Sequence, residues 1–240
     1  MSRMNAQHTS KLFYGKYLYK IGFITPRIGL IRYPDNPLLL SLLESESYKE
    51  FVAKVGMSRA SWWRADNSII WKNRFNFFRM HSSRQKLVNN GVDHIIRFDS
   101  DTATFFLNDK STWEHLVKIF QKDLCAIQWP KNTAHEQWLM NNPTGEIVGE
   151  YPHGKYKYKF NLRNKALAKN ISENFADWIK EYKDMRISKT AQRRIKSGGY
   201  QLNGKFLYST NTENMLLLQM YLGDAVKDIT EFKLERDLNG

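Results

Sequence analysis

One repeated block constrains this chain more than any other feature. Gly15-Lys16-Tyr17-Leu18-Tyr19-Lys20-Ile21 returns as Gly154-Lys155-Tyr156-Lys157-Tyr158-Lys159-Phe160, an offset of 139 residues. A second pair follows in the same order, Phe105-Phe106-Leu107 to Asp123 matching Phe206-Leu207-Tyr208 to Asp224 at an offset of 101. Within it Leu116 aligns with Leu217, Val117 with Leu218 and Phe120 with Tyr221. Blocks that recur in one order mark a supersecondary unit used twice. The offsets differ by 38, so the first copy carries about 38 additional residues between its blocks.

Local patterning fills in the elements. Residues 1–11 read as a loose polar tail. Tyr17 to Ile24 alternates and is rich in aromatics, which favours a strand, and Pro26 ends it. Asp35-Asn36-Pro37 is a helix-start signal, with helix expected over about 37–55 and closed by Gly56. The stretch from Ser58 to Gly91 has no counterpart in the second half and reads as an insertion, 57–91. Strands over 92–98 and 102–107 form a hairpin at Asp99-Ser100-Asp101, and Ser111 with Glu114 predicts a capping box. Leu124 to Trp129 closes the first unit. The breakers Pro143, Gly145, Gly149, Pro152 and Gly154 mark 131–153 as a linker. The second unit then reads strand 155–162, helix 171–183, strand 185–188, a basic helical segment 189–197, strand 205–209, helix 212–222 and strand 225–233.

That order is the split βαβ arrangement. The expected fold is therefore α+β: two tandem ferredoxin-like (RRM-like) βαββαβ units over 12–130 and 154–234, with tails at 1–11 and 235–240.

Composition limits the class of function. At 42% hydrophobic and 14% aromatic residues the chain can fill a core. A formal charge of +13 attracts polyanions, nucleic acid first. Cys125 is the sole cysteine, so no internal disulfide can form and a reducing, cytoplasmic setting is expected. Met1 to Ser10 lacks the apolar stretch of a signal peptide, and no apolar run is long enough to span a bilayer, so no membrane partner is expected.

The positive charge is concentrated. Residues 57–97 hold eight basic against two acidic residues, and 151–206 hold fourteen against four. Concentrated charge is what tracking a phosphate backbone requires. On the strand from 155, period-2 geometry puts Lys155, Lys157 and Lys159 on one face and Tyr156, Tyr158 and Phe160 on the other. The row continues into Arg186, Lys189, Arg193, Arg194 and Lys196. In the insertion, Trp62, Trp63, Phe75, Phe77 and Phe78 are interleaved with Arg64, Arg74, Arg79, Arg84 and Lys86, the mixture that stacks bases and holds phosphates. These fifteen Lys, Arg and Trp positions are the candidate nucleic-acid contacts, with RNA or single-stranded DNA as the expected partner.

The catalytic inventory is short. No two of the six histidines have metal-ligand spacing, no CxxC is possible, and neither a Walker-type loop nor GxGxxG is present, so no metal or cofactor is expected. His81 and His153 are the candidate acid–base groups for metal-independent cleavage of RNA by its own 2′-hydroxyl.

In element order the chain resembles tandem RRM or ferredoxin-like RNA-binding proteins, and in size and basicity it is similar to CRISPR repeat-processing endoribonucleases. The glycine-rich loop of the latter is reduced here to Gly198-Gly199 and Gly204, and the RNP1 pattern is missing from 205–209. The sequence therefore points to a sequence-tolerant nucleic-acid-binding protein of viral or mobile-element type, its two units forming a basic cleft rimmed by the insertion. The alternatives are a metal-independent endoribonuclease or replication-initiator nuclease, and an assembly protein docking on an acidic partner.

Overall fold

The computed structural model describes residues 4–24, 42, 44–57, 71–72, 74–99, 102–162, 174–175, 177–179, 181–187, 189, 192–193, 206–222 and 226–239. It is a mixed α and β protein with two five-stranded sheets. The chain divides into two compact units, Met1–Thr9 with Tyr17–Pro130, and Ser10–Lys16 with Lys131–Gly240. Among the described residues no helix is long and apolar enough to cross a membrane.

In the first unit, β1 (Asn5–His8), β2 (Tyr19–Ile24), β3 (His94–Asp99), β4 (Thr102–Leu107) and β5 (Leu124–Trp129) stand in the order β1-β5-β2-β4-β3. β1 runs parallel to β5, and the other neighbours are antiparallel. Tyr19, Ile21 and Phe23 alternate along β2 and are all fully buried, as a strand covered on one face requires. Phe23 lies flat on Phe120, with centroids 4.0 Å apart, and beside Phe105 at 5.7 Å. Helix α1 (Tyr48–Met57) buries Phe51, which stacks on Trp71. Helix α2 (Arg74–Asn89) buries Phe77, Met80, Ser83 and Leu87, a stripe at helical spacing. Helix α3 (Lys110–Ile119) buries Trp113 and Leu116.

Three expectations change here. The tail contains β1; its four side chains are exposed, so it carries no hydrophobic pattern, and it joins β5 through the backbone ladder with Gln128 donating to Gln7 and His8 edge-on to Trp129. The stretch read as an insertion holds α2, whose buried stripe is diluted in sequence by arginines and outward aromatics. The cap of α3 is Asp109 rather than Ser111. The Asp109 carboxylate accepts from the Thr112 N–H at 2.6 Å and from the Ser111 hydroxyl at 2.8 Å. A carboxylate there also meets the positive end of the helix dipole. Those hydrogen bonds hold the Asp109 pKa below the usual carboxylate range.

In the second unit, β6 (Glu146–Val148), β7 (Tyr158–Leu162), β8 (Met185–Ile187), β9 (Phe206–Ser209) and β10 (Val226–Leu234) stand in the order β6-β10-β7-β9-β8. β6 is parallel to β10 and the remaining pairs are antiparallel. Phe160, Met185 and Leu207 of this sheet form one core with Phe175, Ile179 and Leu218; Leu218 belongs to α5 (Asn214–Leu222), and Phe175 and Ile179 are helical. The region read as a linker contains α4 (Thr133–Asn141), capped by Asn132, as well as β6. Its glycines and prolines serve turns between these elements. Gly145, for one, passes so close to the Trp138 ring that a Cβ would collide with it.

Counted from its first long strand, each sheet runs fourth, first, third, second, with an added edge strand parallel to the fourth. Ile21 pairs with Phe105 and Ile127, and Phe160 pairs with Leu207 and Ile229. By register the second block therefore repeats at an offset of 102, one more than sequence alignment suggests. A slip of one residue exchanges the two faces of a strand. At 102, buried Leu116 matches buried Leu218 and Trp113 matches Met215. Ile96 of β3 and Ile187 of β8 occupy matching register positions at an offset of 91. The first unit's additional residues thus number 48 (139 less 91) and lie between its first two long strands.

The Gly-Lys-Tyr repeat also has a backbone cause. Among the described residues, the non-glycine positions with positive φ are Tyr14 at 55° and His153 at 53°. Each is followed by a glycine in the same region, Gly15 at 66° and Gly154 at 78°. Two successive left-handed residues make the turn that leads into the first long strand, and the tyrosine two residues past each glycine, Tyr17 or Tyr156, is buried. An L side chain at the glycine position costs about 1–2 kcal/mol of strain. Gly154→Ala is accordingly expected to lower unfolding free energy by about that amount in urea denaturation. Gly149→Ala, where a Cβ meets open space, is expected to shift it by less than about 0.5 kcal/mol.

Candidate nucleic-acid interface

The site is built by alternation on β7. Phe160 faces the helices, as do its partners Leu207 and Ile229, so Lys159 and Asn161 face the opposite way. Directly paired residues share a face. The outward face therefore carries a row Arg186–Tyr208–Lys159–Thr230 across β8, β9, β7 and β10. Beside it runs a second row, Phe206–Asn161–Asp228.

Aromatic and basic groups meet on this face. Phe206 and Tyr208 lie two residues apart on β9 with ring centroids 5.2 Å apart, edge to face. The Lys159 ammonium stands 4.6 Å from the Phe206 ring centroid. Arg186 is exposed. At one end Tyr208 stacks on Tyr156 at 5.9 Å, with the His153 ring edge-on to it at 5.5 Å. Burial first, and the Glu146 carboxylate second, hold the Tyr208 phenol above its ordinary pKa.

The predicted contacts of the second unit divide on these terms. Lys157 and Lys155 are exposed, but Lys155 donates to the Lys183 carbonyl at 3.0 Å and lies over the Tyr156 ring at 5.1 Å. Of the aromatics expected to line the opposite face, Tyr158 and Phe160 do so, whereas Tyr156 turns toward Tyr208 ahead of the strand. Lys189 and Arg193 are exposed. Arg194 and Lys196 lie outside the described residues, as do Trp62, Trp63 and Arg64.

The remaining candidates sit on α2 in the first unit. Arg79 is a tie within the fold: it donates to Asp123 at 2.5 Å, to the Ile119 carbonyl at 2.9 Å and to Asn76, and covers the Phe120 ring at 5.5 Å. Arg74 donates to the Trp71 carbonyl and lies 4.5 Å from the Trp71 and Phe75 ring centroids. Arg84 and His81 are half-buried and Lys86 is exposed. Lys86 and His115 line a cleft of about 450 Å³ between α2 and α3. His153, the other acid–base candidate, is exposed in the second unit. At the β3–β4 hairpin Asp99 pairs with Arg97 at 2.6 Å. Among the described residues no group of three His, Cys, Asp or Glu is placed to hold a metal.

Phe206 and Tyr208 were not among the sequence candidates. Their signal was present as two aromatics at i, i+2 behind a lysine, but the alignment at 101 matched them to Phe105 and Leu107, which are buried in the first unit's core.

No family model matches the chain, and comparison with curated proteins and with solved structures found no match.

Arg79→Ala is expected to cost the first unit about 1–3 kcal/mol, because it leaves the partly buried Asp123 carboxylate without its partner. Lys86→Ala is expected to leave stability within about 0.5 kcal/mol of the parent. Thermal unfolding of both variants decides: an Arg79→Ala protein as stable as the parent contradicts the structural role.

Proposed function

We propose that both units are ferredoxin-like, RRM-like βαββαβ folds, each preceded by a parallel edge strand, and that the second binds single-stranded RNA or DNA across its outward sheet face. The strand order and the shared left-handed turn support the first part. One observation carries the second: Phe206 and Tyr208 project from a central strand between Lys159 and Arg186, the cations one strand away on either side.

The chemistry follows from the arrangement. Bases stack on aromatic rings irrespective of sequence, each contributing roughly 1–3 kcal/mol. Lys157, Lys159 and Arg186 flank the rings and supply phosphate contacts. In the free protein the Lys159 ammonium occupies the Phe206 ring; a base taking that place frees the ammonium for the adjoining phosphate. The helix-facing side supplies the core of the unit, while on the outward face Tyr208 packs at one end against the buried Tyr156 and Phe232.

Fluorescence anisotropy with a labelled single-stranded oligonucleotide tests this. Phe206→Ala and Tyr208→Ala are each expected to weaken binding about 5- to 100-fold, and Lys86→Ala to leave it unchanged. Three phosphate contacts predict a slope of about −2 in log affinity against log salt, and Lys159→Ala is expected to reduce it by about 0.7. Binding that ignores salt, or that survives loss of both rings, contradicts the proposal.

A further inference from the structure

The outward face carries acids where a purely phosphate-tracking surface has no use for them: Glu146, opposite Phe232 on the edge strand β6, and Asp228. Asp228 is paired with Asn161, which is paired in turn with Phe206, so the carboxylate lies two strands from the stacking ring in the same row. It keeps 31% of its side chain exposed. Asn161 spends both hydrogens of its amide inside the protein, donating Nδ2–H to Asp228 Oδ1 at 2.5 Å and to Thr230 Oγ1 at 3.2 Å. That fixes the amide's orientation and holds the carboxylate in place. Lys227 Nζ stands 3.6 Å from Asp228 Oδ2, beyond hydrogen-bond length, on a side chain 66% exposed, where solvent screens it.

On Asp228 and Asn161 the groups left over are all acceptors, namely Asp228 Oδ2, the remaining lone pairs of Oδ1, and Asn161 Oδ1. The Thr230 hydroxyl in the neighbouring row keeps its O–H to donate. A base stacked on Phe206 can turn its Watson–Crick edge along this row. Guanine offers two adjacent donors there, N1–H and the N2 amine. Adenine and cytosine each set an acceptor nitrogen beside a single amine, and uracil or thymine sets a single N–H between two carbonyls. Opposed to a carboxylate, those acceptors repel, and removing a matched donor from a site built to receive it strongly disfavours binding.

We propose that Asp228, held by Asn161, selects an unpaired guanine stacked on Phe206. The inference rests on the binding function proposed above and adds a base preference to it. Sequence-tolerant contacts by Tyr208, Lys159 and Arg186 would then carry most of the affinity, and one position of the strand would be read.

The test is competition on the full chain between oligouridine strands carrying a single central guanine, inosine, adenine or cytosine, in ribo and deoxyribo forms, with free GMP as a further arm. Guanine is expected to bind at least about fivefold tighter than adenine or cytosine, the lower end of what a two-point base contact supplies. Inosine keeps N1–H and lacks the N2 amine, so it falls between, with the protein untouched. In Asp228→Asn the guanine-to-adenine ratio is expected to fall to near one, whereas damage to folding alone would weaken both strands together and leave the ratio in place. Guanine preference in both sugar series supports the reading, and GMP binding without strand binding would overturn it. Tight binding with no preference among bases, in the parent protein, overturns this inference and leaves the binding function standing. Absence of binding to every strand overturns both.

Discussion

Everything on the second sheet depends on the register between β7 and β9. Phe160 opposite Leu207 places an aromatic and an aliphatic side chain under the helices, and both are fully buried. Once that pair is inside, the pleat leaves no choice for the neighbours. Lys159 and Tyr208 must be outside together, then Asn161 with Phe206. Cations and rings share the half-buried outward face because the strand that needs Phe160 in the core has lysines at 157 and 159. Core packing and the candidate binding face are two readings of one register.

The first unit uses the same strand order with a different outward face. Gly22 stands opposite Thr104 and Ala126, and Lys20 opposite Phe106 and Gln128. Phe106 is buried and Gly22 has no side chain, so this face offers no pair of rings comparable to Phe206 and Tyr208. A Cβ on Gly22 would touch Ala126, Cys125 and Thr104 at 3.4–3.5 Å, ordinary contact for a closely packed flat surface. Arg79 and Arg74 of the first unit are likewise taken up by contacts within the fold, Arg79 on Asp123 above all. Among the described residues, one strand order thus carries unequal sheet faces, with paired rings and cations on the second.

Much of this was legible in the chain, and what was not has physical causes. The Gly-Lys-Tyr repeat marks a turn that needs a left-handed glycine, and turn chemistry is local enough to survive in sequence. Alternation at Tyr158 and Phe160 correctly separates inside from outside. β1 was hidden because its four residues are exposed and polar or small, and its ties to β5 are backbone pairing with the side-chain contacts Gln7–Gln128 and His8–Trp129. Helix α2 was hidden because Arg79, which reads as a free cation, is anchored through contacts 40 and 44 residues away. The rings at 206 and 208 were passed over because 205–209 lacks the RNP1 pattern, and alignment by hydrophobicity cannot fix register to one residue when Phe105, Phe106 and Leu107 are all apolar. The Asn161–Asp228 contact spans 67 residues and leaves no local pattern.

The claim most exposed to test is that ligand meets the outward side of β7, β9 and β10. Adding a short guanine-containing single strand to isotope-labelled protein and following backbone and side-chain NMR signals tests it directly. The account predicts saturable shifts at Lys159, Asn161, Phe206, Tyr208, Asp228 and Arg186, with the side-chain signals of Phe160, Leu207 and Leu218 little changed. Shifts confined to α2 or to the cleft beside α3, with the sheet silent, would contradict it.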